Sequence, residues 1–252
     1  MSTASTLSEI PLFSQLREGD IARLAAATQE RNYPKNSVIL FENDRGDALY
    51  VVLSGQVKVV IIAEDGREVI LSIRGKGDFF GEMSLIDDEP RSAHVIAMED
   101  SRLLTLRRDD FNRCLREMPE IATGLLREMC RRLRQADSKI GSLVLLDVPG
   151  RVARLLLEMA DRNDGVNITQ KLTHHIIAQI IGSSRETVSR TMRDFMAQNL
   201  IEVSRKTMKI PDRRDAASRG GGAENAAGFI EVTRRMIGIV NRKALEAAAR
   251  IT

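Results

Sequence analysis

The spacing of apolar residues changes twice along the chain. Residues 8–30 carry short helical patterns. Over 37–108 the runs "SVILFE", "ALYVVLSGQVKVVII", "EVILSI" and "SAHVIAM" are β-branched and are cut by "NDRGD", "SGQ", "EDGRE" and "RGKGD". Closely spaced short strands with Gly and Asp turns predict an all-β barrel or roll.

Over 111–143 the period becomes helical. Leu125, Met129, Leu133, Ala136, Ile140 and Leu143 step by four, four, three, four and three, with Arg127, Glu128, Arg131 and Arg132 off that line. This near-heptad seam with charged flanks predicts a long helix that pairs with a second copy of the chain. Pro149-Gly150 interrupts the pattern and marks a hinge or boundary.

Residues 151–210 read as a helix "RVARLLLEMAD", a turn "RNDGVN", a helix "THHIIAQIIG", a second helix from "SSRETVSR", and "LIEVSRKTMKI" as two short strands with a turn between them. Two helices joined by a Gly-containing turn and followed by a hairpin predict a winged helix-turn-helix. Beyond Pro211, "DRRDAASRGGGAENAAG" has linker composition. The last segment, "FIEVTRRMIGIVNRKALEAAARI", is expected to be an amphipathic helix with Phe229, Val232, Met236 and Val240 on one face.

Length and composition add little to this picture, but charge adds more. The 252 residues allow one large domain or two ordinary ones. The formal net charge is only +3, yet residues 1–147 hold 20 Lys+Arg against 24 Asp+Glu, whereas 148–210 hold 10 against 6. A polyanionic partner is therefore expected at the back of the chain. No apolar run approaches the roughly 20 residues of a membrane span, and "MSTASTLSEIPLF" has no leader-like pattern. Cys114 and Cys130 alone fit a reducing cytoplasm without disulfides. The three histidines form no cluster with acidic residues at metal-site spacing, so neither a metal nor an enzymatic activity is expected.

Two segments carry candidate chemistry. In "FFGEMSLIDDEPRSAHVIA", residues 79–97, Glu82 precedes Arg91 by nine positions, with Gly81 and Ser92 beside them. Arg91 offers a planar fork suited to a phosphate diester, Ser92 a hydroxyl, and the Ser84-Leu85-Ile86 backbone further donors if it forms a helical turn. A carboxylate such as Glu82 is repelled by phosphate and suits sugar hydroxyls. In "IIGSSRETVSRTMRDFMAQNLI", Gly182 precedes a capping box from Ser183 to Glu186. Val188, Met192 and Phe195 share one helical face, and Glu186, Ser189, Arg190 and Arg193 the opposite one. Arginine and glutamate on an exposed face match guanine and cytosine edges in a major groove.

The first segment resembles the phosphate-binding cassette of the cyclic-nucleotide-binding domain, through "FGE", the Glu-to-Arg spacing and "PRSA". With the second segment, the chain over residues 8–210 resembles the CRP/FNR superfamily of bacterial transcription regulators. The resemblance implies that Glu82 takes the ribose 2′-hydroxyl and Arg91 the cyclic phosphate, within a cassette of Gly81, Glu82, Met83, Ser84, Arg91 and Ser92. It implies base readers at Arg185, Glu186 and Arg190 (one branch) or Glu186, Ser189 and Arg190 (another), on TGA-like half-sites of a palindrome. Phosphate contacts are implied for Thr173, Ser184 and Thr187. Four departures stand out, one of them the tail beyond residue 211, which has no counterpart in the family's usual ending. Ala136 and Asp137 replace the polar residues that touch the base in the family. His174-His175 replaces a polar-acidic pair. Arg205 stands where the wing often has glycine.

The expected fold class is α+β. Its expected segments are a cyclic-nucleotide-binding β-roll over 1–112, a coiled-coil dimerisation helix over 113–147, a winged helix-turn-helix over 148–212, and a linker with amphipathic tail over 213–252. The ligand implied is cAMP, with cGMP as the alternative, and a third reading keeps the roll but has no nucleotide. Double-stranded DNA, a second copy of the chain through residues 113–143, and RNA polymerase are the partners implied. The base of the ligand is expected near Ala136 and Asp137.

Overall fold

A computed structural model describes residues 3–161, 165–168, 172–211 and 229–250; for Asn167, 205–211 and 229–236 it describes the backbone. The chain divides into two compact units, Met1–Ile140 and Gly141–Thr252.

In the N-terminal unit, α1 (Thr3–Ser8) and α2 (Glu18–Ala27) precede β1 (Thr28–Tyr33), β2 (Val38–Leu40), β3 (Ala48–Ser54), β4 (Val57–Ile62), β5 (Glu68–Arg74) and β6 (Phe79–Phe80). A single helical turn, α3 (Met83–Ile86), leads to β7 (His94–Ala97), β8 (Ser101–Arg107), α4 (Arg108–Glu117) and the long α5 (Pro119–Leu145). The strands form two four-stranded antiparallel sheets, ordered β1-β8-β3-β6 and β2-β7-β4-β5. This is the expected roll.

Strand β3, "ALYVVLS", shows why the roll holds. Its apolar residues are continuous rather than alternating because both of its faces are buried. Leu49, Val51 and Leu53 pack with Leu7, Leu24, Phe111 and Ile121 of the helices and with Phe13 between α1 and α2. Ala48, Tyr50 and Val52 turn the other way, toward Val57, Phe80, Val95 and Leu103. Tyr50 and Phe80 stack with ring centroids 5.2 Å apart.

The C-terminal unit contains α6 (Val148–Asp161), β9 (Asn167–Ile168), α7 (His174–Ile181), α8 (Arg185–Ala197), β10 (Ile201–Pro211), β11 (Phe229–Ile239) and α9 (Arg242–Ala248). Pro149 lies in the first turn of α6, where its missing N–H costs no intrahelical bond. The core gathers Val152, Leu156, Ile177, Ile181, Val188, Met192 and Phe195. The expected face of α8 is thus the buried one.

Four expectations are corrected. Residues 28–30 lie in β1, not in a helix; "TQERNY" is an edge strand with an intermediate-to-exposed burial pattern, so no apolar alternation announces it. The seam of α5 is shifted: Leu125 is buried and Met129 packs on the roll's core, while Leu126 is 66%, Leu133 63%, Ile140 59% and Val144 76% exposed. With exposed Cys130 and Asp137 between them, these residues form the outward stripe at four-three spacing. The stretch 201–210 is one strand rather than two with a turn, because its partner lies farther along: Ile201 pairs with Ile239 and Pro211 with Phe229. Residues 229–239 are accordingly a strand, not the start of an amphipathic helix. Ile237, Ile239 and Leu245 lie in the core of the C-terminal unit, so the segment is not a separate tail. The linker reading over 212–228 lies outside the described residues.

Candidate functional site

The loop from β6 to β7 brings the first set of residues together. Gly81 has φ +83°, a left-handed conformation, and a Cβ there would lie 2.8 Å from Arg91 Nη1 and 3.0 Å from the Ala48 carbonyl. A Cβ on Gly46 would collide with Ser84 Cβ and come within 3.3 Å of Arg91 Cζ. Glycine is therefore required on both sides of the Arg91 side chain.

Arg91 is 4% exposed. Its Nη1 donates to the Gly81 carbonyl at 2.6 Å and its Nη2 to the Ala48 carbonyl at 2.9 Å. Asp47 lies 3.5 Å from Nη2. Burial pulls the guanidinium below its ordinary pKa, while Tyr50 and then Asp47 push it back up; a guanidinium stays charged at neutral pH. Arg108 braces the same loop: it donates to the Gly46 and Ser84 carbonyls at 2.8 and 2.7 Å and pairs with Asp88.

Glu82 is also buried, at 3% exposure. Its Oε1 accepts from Arg132 Nη1 of α5 at 2.8 Å. Arg132 Nη2 donates to the Phe79 carbonyl at 2.7 Å, and its Cζ sits 4.5 Å from the Phe79 ring centroid. Arg132 Nε donates to Glu128, which Arg131 also holds. Burial raises the Glu128 carboxyl, but hydrogen bonds from Arg131 and then Arg132 outweigh it and hold it down to about 2. Arg74 of β5 is brought down to about 10, by burial and then by the charge of Arg132.

Three buried polar atoms of this cluster, Glu82 Oε2, Arg91 Nε and Arg74 Nε, have no hydrogen-bond partner among the described residues. An acceptor and two donors left over in one cradle fit a ligand that carries both hydroxyls and an anion. Of the remaining expected residues, Ser84 is buried, Met83 is 49% exposed and Ser92 is exposed. Leu85 and Ile86 N–H groups both donate to the Glu82 carbonyl. Those two amides are used within the turn and are not the spare donors expected of them. Ala136 and Asp137 are exposed on α5. Lys139, on the helix face that carries Arg132, donates to the Ile70 carbonyl at 2.7 Å.

Arg132 is the residue missed by reading the seam alone. It lies seven positions from Leu125 and three from Met129, both of which pack on the roll. A cation on that line is the signal that could have found it.

In the C-terminal unit, Thr173 caps α7 by accepting from the Ile176 amide at 3.1 Å. Gly182 ends α7 in the left-handed region, at φ +65°. The cap of α8 is Ser184, not Ser183 as expected. Its Oγ accepts from the Thr187 amide at 3.1 Å and lies 3.0 Å from Thr187 Oγ1. Arg185, Glu186, Arg190 and Arg193 are exposed, and Thr187 and Ser189 are half-buried. Hydrogen bonds from its own backbone N–H and from Ser184 hold the Glu186 carboxyl below its usual range. It is an anion on the open face of α8.

Arg205 lies on β10 opposite Arg235, and its side chain is outside the described residues. His175 is exposed and His174 half-buried on α7. His94 Nδ1 accepts from the Glu42 amide at 3.2 Å, which ties it into the strand pair. Among the described residues no group of three or more His, Cys, Asp or Glu could hold a metal, and no helix is long and apolar enough to cross a membrane.

A polar cradle in a β-roll and a capped helix-turn-helix in a second unit define a ligand-binding, DNA-binding regulator. Comparison with known proteins agrees. Residues 30–118 match the cyclic nucleotide-binding domain and residues 150–215 the Crp-like helix-turn-helix domain. The chain is 35% identical over 218 residues to a CRP-like cAMP-activated global transcriptional regulator of Mycobacterium tuberculosis, covering 84% of this chain and 97% of that protein. It is 35% identical over 207 residues to the cyclic AMP receptor protein of Thermus thermophilus, covering 82% and 94%. The fold is also that of FixK2 from Bradyrhizobium japonicum, with a TM-score of 0.68 at 22% identity, over 89% of this chain and 98% of that one. The chain belongs to the CRP/FNR superfamily of transcription regulators.

Proposed function

We propose that this protein is a homodimeric regulator whose DNA binding responds to cAMP. The observation that carries the reading is the pair of unsatisfied buried atoms, Glu82 Oε2 and Arg91 Nε, in a cradle where Gly46 and Gly81 leave room for the Arg91 side chain. In this reading Arg91 and Ser92 take the cyclic phosphate and Glu82 the ribose hydroxyl, with Gly81, Met83 and Ser84 shaping the loop. The choice of cAMP rather than cGMP is supported by relatives named a cAMP-activated regulator and a cyclic AMP receptor protein. Asp137 faces away from the helix side that carries Arg132 and Lys139, so it would read the base only through a paired α5.

The dimer would form through Leu126, Leu133, Ile140 and Val144, whose exposure and spacing suit a two-chain coiled coil. Arg185, Glu186, Ser189 and Arg190 would then read base edges, with Thr173, Ser184 and Thr187 against phosphates, on a palindrome with TGA-like half-sites. Ligand would shift the population toward a geometry that spaces the two α8 helices about 34 Å apart. RNA polymerase is the further partner this role implies.

One observation favours a second reading, a regulator that needs no nucleotide. Arg132 already holds Glu82, and two backbone carbonyls already hold Arg91. Calorimetric titration with cAMP, cGMP and cyclic di-GMP separates the readings. Saturable binding of cAMP with a fold-change in duplex affinity supports the first, and no heat with any of the three supports the second.

A further inference from the structure

A cation stands on the inward side of the roll, where an apolar residue would be the simpler choice. Arg74 is the last residue of β5 and lies opposite Val57 of β4. Directly opposed residues of an antiparallel pair share a face, and Val57 is fully buried in the roll's interior. The Arg74 side chain therefore leaves the sheet on the inward face.

The chain then turns back toward Glu82. The Gly75 amide donates to Asp78 Oδ2 at 2.9 Å, and the Asp78 amide to the Gly75 carbonyl at 3.0 Å. Helix α5 covers both sides of this turn: Lys139 donates to the Ile70 carbonyl of β5, and Arg132 to the Phe79 carbonyl of β6. Arg74 is thus enclosed in the space that holds Glu82. Its Nε is buried without a hydrogen-bond partner among the described residues, and so is Glu82 Oε2. A buried donor and a buried acceptor left unpaired are each costly.

Charge decides what suits them. Burial and then the charge of Arg132 act against the Arg74 cation, while Asp78, Glu82 and Glu128 favour it. Arg74, Arg131 and Arg132 are therefore matched by these three acids, and the surroundings call for no second anion. One donor and one acceptor remain to be satisfied. A hydroxyl satisfies both, because it donates to a carboxylate oxygen and accepts from a guanidinium N–H. A carbonyl or ether oxygen would serve Arg74 alone, and an ammonium would serve Glu82 alone.

We propose that Arg74 is a further ligand contact, which with Glu82 grips the ribose 2′-hydroxyl of the cyclic nucleotide. Glu82 Oε2 accepts from the hydroxyl, and Arg74 Nε donates to its oxygen. Arg132 keeps Glu82 Oε1, so the sugar is held without releasing α5. The inference rests on the reading of the protein as a cyclic-nucleotide-responsive regulator and adds a second residue that tells ribose from deoxyribose.

The test is calorimetric titration of the full-length chain, unmodified and as Arg74→Met, with cAMP and with 2′-deoxy-cAMP. The unmodified protein should prefer cAMP. Arg74→Met should bind cAMP about tenfold more weakly, the lower end for a lost hydrogen bond to a charged group, and should bind the deoxy analogue as the unmodified protein does. The preference for ribose then falls by the same factor. An Arg74 that only supports the fold would weaken both ligands alike or neither, and either result overturns the inference. If Arg74→Met loses its native circular dichroism, Arg74→Gln is measured in its place against the same criterion. Equal affinity of the unmodified protein for the two ligands also overturns the inference, while leaving the cyclic-nucleotide reading standing. If the unmodified protein binds neither cAMP nor cGMP, that reading fails first, and the role of Arg74 falls with it.

Discussion

Arg132 Nη1 donates to Glu82 Oε1 at 2.8 Å, across fifty positions of sequence. The contact ties the long helix α5 to the cradle loop, and both side chains are largely out of water, at 15% and 4% exposure. Any group that takes Glu82 must share it with Arg132 or displace it, so the occupancy of the cradle and the seating of α5 are physically coupled.

The cost of breaking that pair is the first expectation. Arg132→Met leaves the Glu82 carboxylate buried without its cation, and such a loss destabilises by about 3–5 kcal/mol. Adding Glu82→Gln should return much of that, because the uncompensated charge is gone. Urea unfolding of the two single variants and the double variant checks it; additive losses would mean the two residues are not coupled.

Arg91→Ala should weaken nucleotide binding by about 2–5 kcal/mol, the range for removing one partner of a buried charge-assisted contact. It should also lower the melting temperature, because the Gly81 and Ala48 carbonyls lose their donors. Calorimetry paired with thermal melts separates the two effects; affinity equal to that of the unmodified protein would show that the phosphate binds elsewhere.

On α8, Glu186→Ala should relax base preference by about 1–3 kcal/mol. Thr187→Ala keeps its backbone N–H on the Ser184 cap, so the helix should persist and affinity should fall alike for every sequence. Selected binding sites for each variant decide the matter.

Deleting residues 213–252 should abolish cooperative unfolding of the C-terminal unit. The deletion takes Ile237, Ile239 and Leu245 out of the core, at about 1.5–3 kcal/mol each, and removes the partner strand of β10. That sum rivals the whole stability of an ordinary domain. Calorimetric scans of the truncated chain should lack that unit's transition.

Glu128 sets an acid limit. Its folded pKa, about 2, lies below the unfolded value of about 4.3. The stability it contributes is therefore present above about pH 4.3 and is lost as pH falls toward 2. Glu128→Gln should flatten the pH dependence of stability in that window, as measured by urea unfolding at pH 5 and pH 2.5.

Local pattern was enough to find the roll, the long helix and the helix-turn-helix. Strands such as "ALYVVLS", the periodic apolar line of α5 and the Gly182 turn are short-range signals, and backbone preference agrees with the tertiary fold there. The spacing of Glu82 and Arg91 was equally legible, since both sit on one short loop.

Which side of α5 faces the roll was settled by packing alone. Leu125 and Leu126 are adjacent, and periodicity does not say which is covered; packing against Leu12, Phe13 and Ile121 buries the first and leaves the second outward. The same packing turns Arg132 inward, so its partnership with Glu82 depends on a contact between segments fifty residues apart. Strand β11 was hidden for a related reason. "FIEVTRRMIGI" has apolar residues at spacings that suit a helix as well as a strand, and its state is set by β10, which no local pattern names as its partner.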